Sequence, residues 1–191
     1  MNEYIVFDTE FTSWPDSQKN NWSDPNEYRE IVQIGGLKIS DGEVIDQLNI
    51  YIKPKKNPAL SNYFTRLTGI TQEKVDKYGL DFELAMKNLY AFTIGIDNVY
   101  SWGNDWHVIK ENMDWYITKN PNTEKFFQPD FKRKFKDMKP LVKSKTNINI
   151  DGYPSGALYK AFGLTTQHKL KMHNAFHDSY SLFMVAKHLN L

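Results

Sequence analysis

The sequence predicts an α/β domain: a β-sheet of mixed strand direction with helices packed on it. Three observations carry this reading. A β-branched and aromatic run opens the chain, a hairpin pattern follows it, and later short apolar runs alternate with helical patterns up to an amphipathic C-terminal segment. At 191 residues, 40% hydrophobic and 15% aromatic, the chain suits one domain over residues 1–191 with room for a real core.

Tyr4-Ile5-Val6-Phe7 reads as the first buried strand. Residues i and i+2 share a strand face, so Asp8 and Glu10 present two carboxylates side by side at its end. Such a pair is either a solvated strand end or an invitation to a hard divalent cation. Thr12 to Glu27 is a long polar loop, and Trp14 and Trp22 within it serve as packing anchors or as a stacking surface, packing being preferred. Ile31 to Ile39 and Val44 to Ile52 form an antiparallel hairpin about Ser40-Asp41-Gly42-Glu43, because Asp-Gly tolerates the positive φ of a tight turn. Pro54 and Pro58 end that segment.

Thr71-Gln72-Glu73 starts a short capped helix, and Asp81 to Thr93 carries Phe82, Ala85, Leu89 and Phe92 at helical spacing. Asn98 to Trp102 reads as a buried strand that turns through Gly103-Asn104-Asp105 into a helix from Trp106 to Tyr116. Lys136-Asp137-Met138 reads as a further strand, followed by a basic linker. Ser155 to Phe162 is helical and stops at Gly163, and the last helix runs from Ala175 to Leu189.

Zero cysteines exclude disulfides, thiolate metal sites and a cysteine nucleophile, and fit a cytoplasmic location. The N-terminus lacks the basic and apolar regions of a signal peptide, and no apolar run approaches the ~18 residues that span a bilayer, so no membrane partner is expected. Net charge is only +1, but seven Lys or Arg lie between Lys132 and Lys145 against the single acid Asp137. That run is a solvated surface or an edge that tracks phosphates.

Acidic residues stand where chain ends meet one sheet edge. Asp8 and Glu10 close the first strand, Asp105 follows a later strand, and Asp178 lies in the first turn of the last helix, with His173 on the loop before it. With the side matches Glu30-Ile31-Val32-Gln33-Ile34-Gly35, Leu67-Thr68-Gly69-Ile70-Thr71, Ser101-Trp102-Gly103 and His173-Asn174-Ala175-Phe176-His177-Asp178, the chain resembles the DEDDh 3′-to-5′ exonucleases. Within them it looks most like the branch that trims histone mRNA and small RNAs, which has bacterial members, one described as an inhibitor of sporulation kinase activation.

The resemblance implies a ribonuclease-H-like fold: a mixed five-stranded sheet of order 3-2-1-4-5 flanked by helices. It implies that Asp8, Glu10, Asp105 and Asp178 hold two Mg²⁺ or Mn²⁺ ions, which clamp the attacking and leaving oxygens of an in-line displacement. His173 is then the general base. Thr9, Glu10 and Phe11 would cradle the terminal nucleotide, with Leu67 as a wedge and Phe64 or Phe11 as a stacking face; the bland reading of Phe64 and Leu67 is core packing. Lys169 and Lys171 rival the 132–145 run as phosphate contacts. The implied partner is a single-stranded nucleic-acid 3′ end, RNA ahead of DNA, and the implied product is a nucleoside 5′-monophosphate.

Two departures stand out. Asp105 comes one residue earlier after Ser-Trp-Gly than the family pattern has it, so Trp106 rivals it for the site position, Asp105 being preferred. His177 stands where relatives commonly carry an acid. His107, His168 and His188 read as surface or packing residues, and Glu30 equally as an ion pair at a strand start or a catalytic group. A non-cleaving binding or regulatory protein on the same fold is the competing function.

Overall fold

A computed structural model describes residues 3–118 and 120–191. β1 (Glu3–Phe11) continues past its apolar start, so Asp8 and Glu10 lie inside the strand rather than beyond its end. β2 (Ile31–Ser40) and β3 (Glu43–Tyr51) form the expected hairpin, turning through Asp41 and Gly42 at φ 50° and 79°, as a two-residue primed turn requires. β4 (Val99–Ser101) pairs parallel to β1, and β5 (Phe135–Asp137) parallel to β4. The sheet order β3-β2-β1-β4-β5 is the expected one.

Strand alternation divides the core. Ile5 and Phe7 face one layer, with α3 (Phe82–Phe92) and α4 (Asp105–Tyr116). Tyr4 and Val6 face the other, with α6 (Lys139–Lys145), α7 (Leu158–Ala161) and α8 (Ala175–His188). By the same alternation Asp8 and Glu10 continue the α8 face and Thr9 the α4 face.

Three short helices lie outside the sequence expectation. α1 (Asn62–Thr68) precedes α2 (Gln72–Tyr78), α5 (Pro129–Arg133) precedes β5, and α6 occupies the stretch read as a basic linker. α1 is capped by Ser61, whose hydroxyl accepts from Phe64 N–H at 2.9 Å, and ends at Gly69 with φ 73°. The long loop after β1 is anchored by packing: Trp22 meets Phe11 edge-on at 5.2 Å, and its indole N–H donates to Thr12 O at 2.9 Å.

A close backbone-to-backbone contact joins β2 and α8. A Cβ on Gly35 would fall 2.2 Å from Phe176 N, so only glycine lets the helix backbone rest on the strand. Ser179 Oγ donates to Gly35 O at 2.9 Å, and Ala175 N–H donates to Gln33 Oε1 at 3.1 Å. Since backbone rather than a flexible side chain would be struck, Gly35→Ala should destabilise the fold by at least about 2 kcal/mol. In urea denaturation the midpoint should fall with the slope unchanged; an unmoved midpoint would mean that α8 does not seat there.

Candidate active site

Asp8, Glu10 and Asp178 each bring a carboxylate oxygen within 4.8 Å of the others. Three different local causes place them. β1 alternation puts Asp8 and Glu10 on one face, and the Gly35 contact sets the N-terminal turn of α8 over that face. Asn174 caps the helix, its Oδ1 accepting from His177 N–H at 3.2 Å. Asp178 follows one turn in.

Asp105 arrives from the opposite layer. It is the first residue of α4, and Thr9 Oγ1 donates to its Oδ1 at 2.6 Å. The buried Asn112 docks α4 on the chain entering β2: its Oδ1 accepts from Ile31 N–H at 3.0 Å, and its amide donates to Arg29 O at 2.8 Å. Trp106 stacks on Phe135 at 4.6 Å and meets Phe131 edge-on, so this rival for the site position is turned into an aromatic core.

The electrostatics are those of crowded anions. Burial pushes the Asp8 carboxyl well above the ordinary range, and the charges of Asp105, Asp178 and Glu10 push it further. Glu10 is raised by burial and then by Asp178 and Asp105. Asp105 is raised by burial, against the hydrogen bonds of Thr9 and Ser101. Asp178 is pushed up to about 7, chiefly by burial, against hydrogen bonds from Ser155 and the backbone.

Asp178 also shows that the set is one donor group short of satisfaction. Its Oδ2 accepts from Ser155 Oγ at 3.2 Å and His173 N–H at 3.3 Å, while the buried Oδ1 has no partner among the described residues. A Cβ on Gly156 would sit 2.2 Å from that Oδ1, so only glycine lets this loop pack against the carboxylate. An orphaned oxygen among buried, oxygen-only donors fits a hard divalent cation such as Mg²⁺ or Mn²⁺.

His173 is half-buried in a left-handed backbone conformation, φ 59°, and burial lowers its pKa. His177 plays a structural part, its Nδ1 accepting from Lys171 N–H at 3.1 Å and so bracing the turn that carries His173. Phe11 and Leu67 are half-buried, whereas Phe64 is 1% exposed and packs with Val32, Ile70 and Val75. Phe64 thus lies under α1, not at a surface. Among the described residues Glu30 forms no ion pair at its strand start. It is buried, accepts from Lys55, Lys56 and Asn57 N–H groups and from Tyr116 O–H, and ties a loop to α4. Sequence reasoning missed Ser155 and Gly156, which touch Asp178 through a long-range loop crossing with no periodic signal.

The sequence matches the RNase T family model, described as an exonuclease, over residues 5–185. The chain belongs to the RNase T exonuclease family. Within it, "Probable 3′-5′ exonuclease KapD" of Bacillus subtilis is 34% identical over 113 residues, covering 58% of this chain and 53% of KapD. "ERI1 exoribonuclease 2" of Xenopus laevis is 35% identical over 74 residues, 38% of this chain and 10% of that protein. This RNase T exonuclease domain therefore spans about half the length of KapD and a small part of the exoribonuclease. Among solved structures, the nuclease domain of 3′hExo, described as a DEDDh family member bound to rAMP, superposes with TM-score 0.66 at 17% identity, covering 98% of this chain and 91% of that one. At that identity the likeness establishes the fold, and with the family match it bears out the DEDDh resemblance. No helix among the described residues is long and apolar enough to cross a membrane.

The raised carboxyls set the sign of a pH effect. A carboxyl whose folded pKa lies above its unfolded value takes up a proton on folding, so stability falls as pH rises from the unfolded pKa through the folded one. For Asp178 that window runs from about 4 to about 7. The metal-free protein in EDTA should melt lower at pH 8 than at pH 5, and Mn²⁺ should raise Tm more at pH 8. Asp8→Asn should lift the metal-free Tm at pH 8 by roughly 2–4 °C for each kcal/mol of relieved repulsion. A Tm indifferent to both metal and Asp8→Asn would contradict the crowded-anion site.

Proposed function

We propose that this domain, acting as one unit over residues 1–191, removes nucleotides from the 3′ end of a single-stranded nucleic acid, RNA ahead of DNA, and releases nucleoside 5′-monophosphates. The observation that carries the reading is the cluster of Asp8, Glu10 and Asp178 with its orphaned Asp178 Oδ1, next to a histidine in a constrained turn. The RNA preference is supported by the exoribonuclease similarity alone.

Asp8, Glu10 and Asp178 would hold Mg²⁺ or Mn²⁺, with Asp105 completing a set for two ions. When bound, such ions neutralise charge on the phosphate and make water acidic enough to attack at neutral pH. The chain's own groups do the rest. His173, kept neutral at pH 7 by its lowered pKa, accepts the proton of the attacking water on an imidazole nitrogen. The new P–O bond forms as the bond to the 3′ oxygen breaks, and that oxygen leaves with the shortened strand and takes up a proton. Thr9 positions Asp105 through its hydroxyl, and Ser155 holds one oxygen of Asp178. Phe11 and Leu67 receive the terminal nucleoside, and Phe64 supports α1 from below.

A time course on 5′-labelled single-stranded RNA and matched DNA tests this. With Mn²⁺ or Mg²⁺ the strand should shorten from its 3′ end into a ladder, and EDTA or Asp178→Ala should abolish it. His173→Ala should lower kcat by about 10²- to 10⁴-fold. If the folded protein binds metal and strand yet releases no nucleotide, the nuclease reading fails and the non-cleaving alternative replaces it.

A further inference from the structure

The basic run between Lys132 and Lys145 does not form one face. Arg133 pairs with Asp130 at 3.3 Å, Lys143 pairs with Asp151 at 2.7 Å, and Lys134 Nζ donates to Thr93 O at 2.9 Å. Lys139 goes elsewhere. Its Nζ lies 5.5 Å from the centroid of the Trp102 ring, and the half-buried Trp102 donates its indole N–H to Tyr153 O at 2.8 Å. The Tyr153 side chain is exposed.

Both chain segments of this trio lead into the acid cluster. Ser101, beside Trp102, donates to Gly103 O at 3.0 Å in the turn that enters α4 at Asp105, and Ser155, two residues beyond Tyr153, donates to Asp178 Oδ2 at 3.2 Å. Asp137 fixes the third member, accepting from Gly103 N–H at 3.0 Å and Lys139 N–H at 2.9 Å. A half-buried indole that rests on the α8 layer, an exposed tyrosine ring and an ammonium group thus stand on the segments that flank the acid cluster. A polyanionic strand approaching those acids is repelled, and Lys139 supplies attraction where the strand must pass.

The geometry points to a nucleotide subsite: Trp102 and Tyr153 stack the base upstream of the scissile bond, and Lys139 contacts its phosphate. The assignment rests on the nuclease reading for its direction along the strand. It explains a need for single strands, since the base must leave its duplex stack to reach the indole.

The test is fluorescence anisotropy of a labelled single-stranded oligonucleotide in EDTA, over a range of salt, beside Mn²⁺-dependent turnover of the same strand. Trp102→Ala should weaken binding about tenfold and Trp102→Phe should recover most of it. Lys139→Glu should weaken binding and lower the salt dependence by roughly one ion. If Trp102→Ala loses its fold by melting temperature, Lys139→Glu decides alone, being a substitution at the start of a helix that tolerates an acid. Variants that bind within about twofold of wild type, while the wild type cleaves, overturn the subsite and leave the nuclease standing. Binding sensitive to both residues without nucleotide release keeps the subsite and removes the nuclease. A wild type that neither binds nor cleaves overturns both.

Discussion

Everything in the site depends on a helix lying directly against a strand. α8 meets β2 backbone to backbone at Gly35, and Gln33 and Ser179 convert that contact into hydrogen bonds. Hydrophobic packing alone tolerates small slides of a helix along a sheet. Two buried polar bonds at fixed positions do not, because a slide would leave their donors and acceptors unpaired. The register of α8 over β1 is therefore set, and with it the place of Asp178 beside Asp8 and Glu10.

The acids themselves work against folding. Buried carboxylates with raised pKa values repel one another, and the surrounding layers must hold them in place. The supports are small and specific: Thr9 and Ser101 for Asp105, Ser155 and the His173 N–H for Asp178. Asp178 Oδ1 has no hydrogen-bond partner among the described residues. Crowding of this kind suits a hard divalent cation, whose charge would offset the repulsion.

Much of this was legible in the amino-acid order. The alternation of β1 announces which face Asp8 and Glu10 share, and the Asp-Gly turn announces the hairpin. Asp8 and Glu10 are visible because they interrupt an apolar strand on one face, and Asp105 and Asp178 because each stands in the first turn of a helix. What escaped has physical reasons. α1 is too short for its apolar period to register, although Ser61 and Gly69 mark its two ends as a cap and a left-handed stop. α5 and α6 begin on or next to prolines, a helix-start signal that their lysine content obscured. Trp106 and Ser155 depend on contacts between distant segments, and Phe64 carries a sequence compatible equally with a core and a surface role.

Asp105 reaches its neighbours from the far side of the sheet, held by Thr9 between the two acids that face α8. The acid cluster is therefore a seam between two hydrophobic layers, each with its own helices. Neither layer alone contains a complete set. Such a seam acts as a conjunction: a chain that has consolidated only one half of its interior has no competent centre, however much secondary structure it shows. Cation binding by the full acid set would therefore report on the native packing of both layers at once, which a spectroscopic signal from one layer does not.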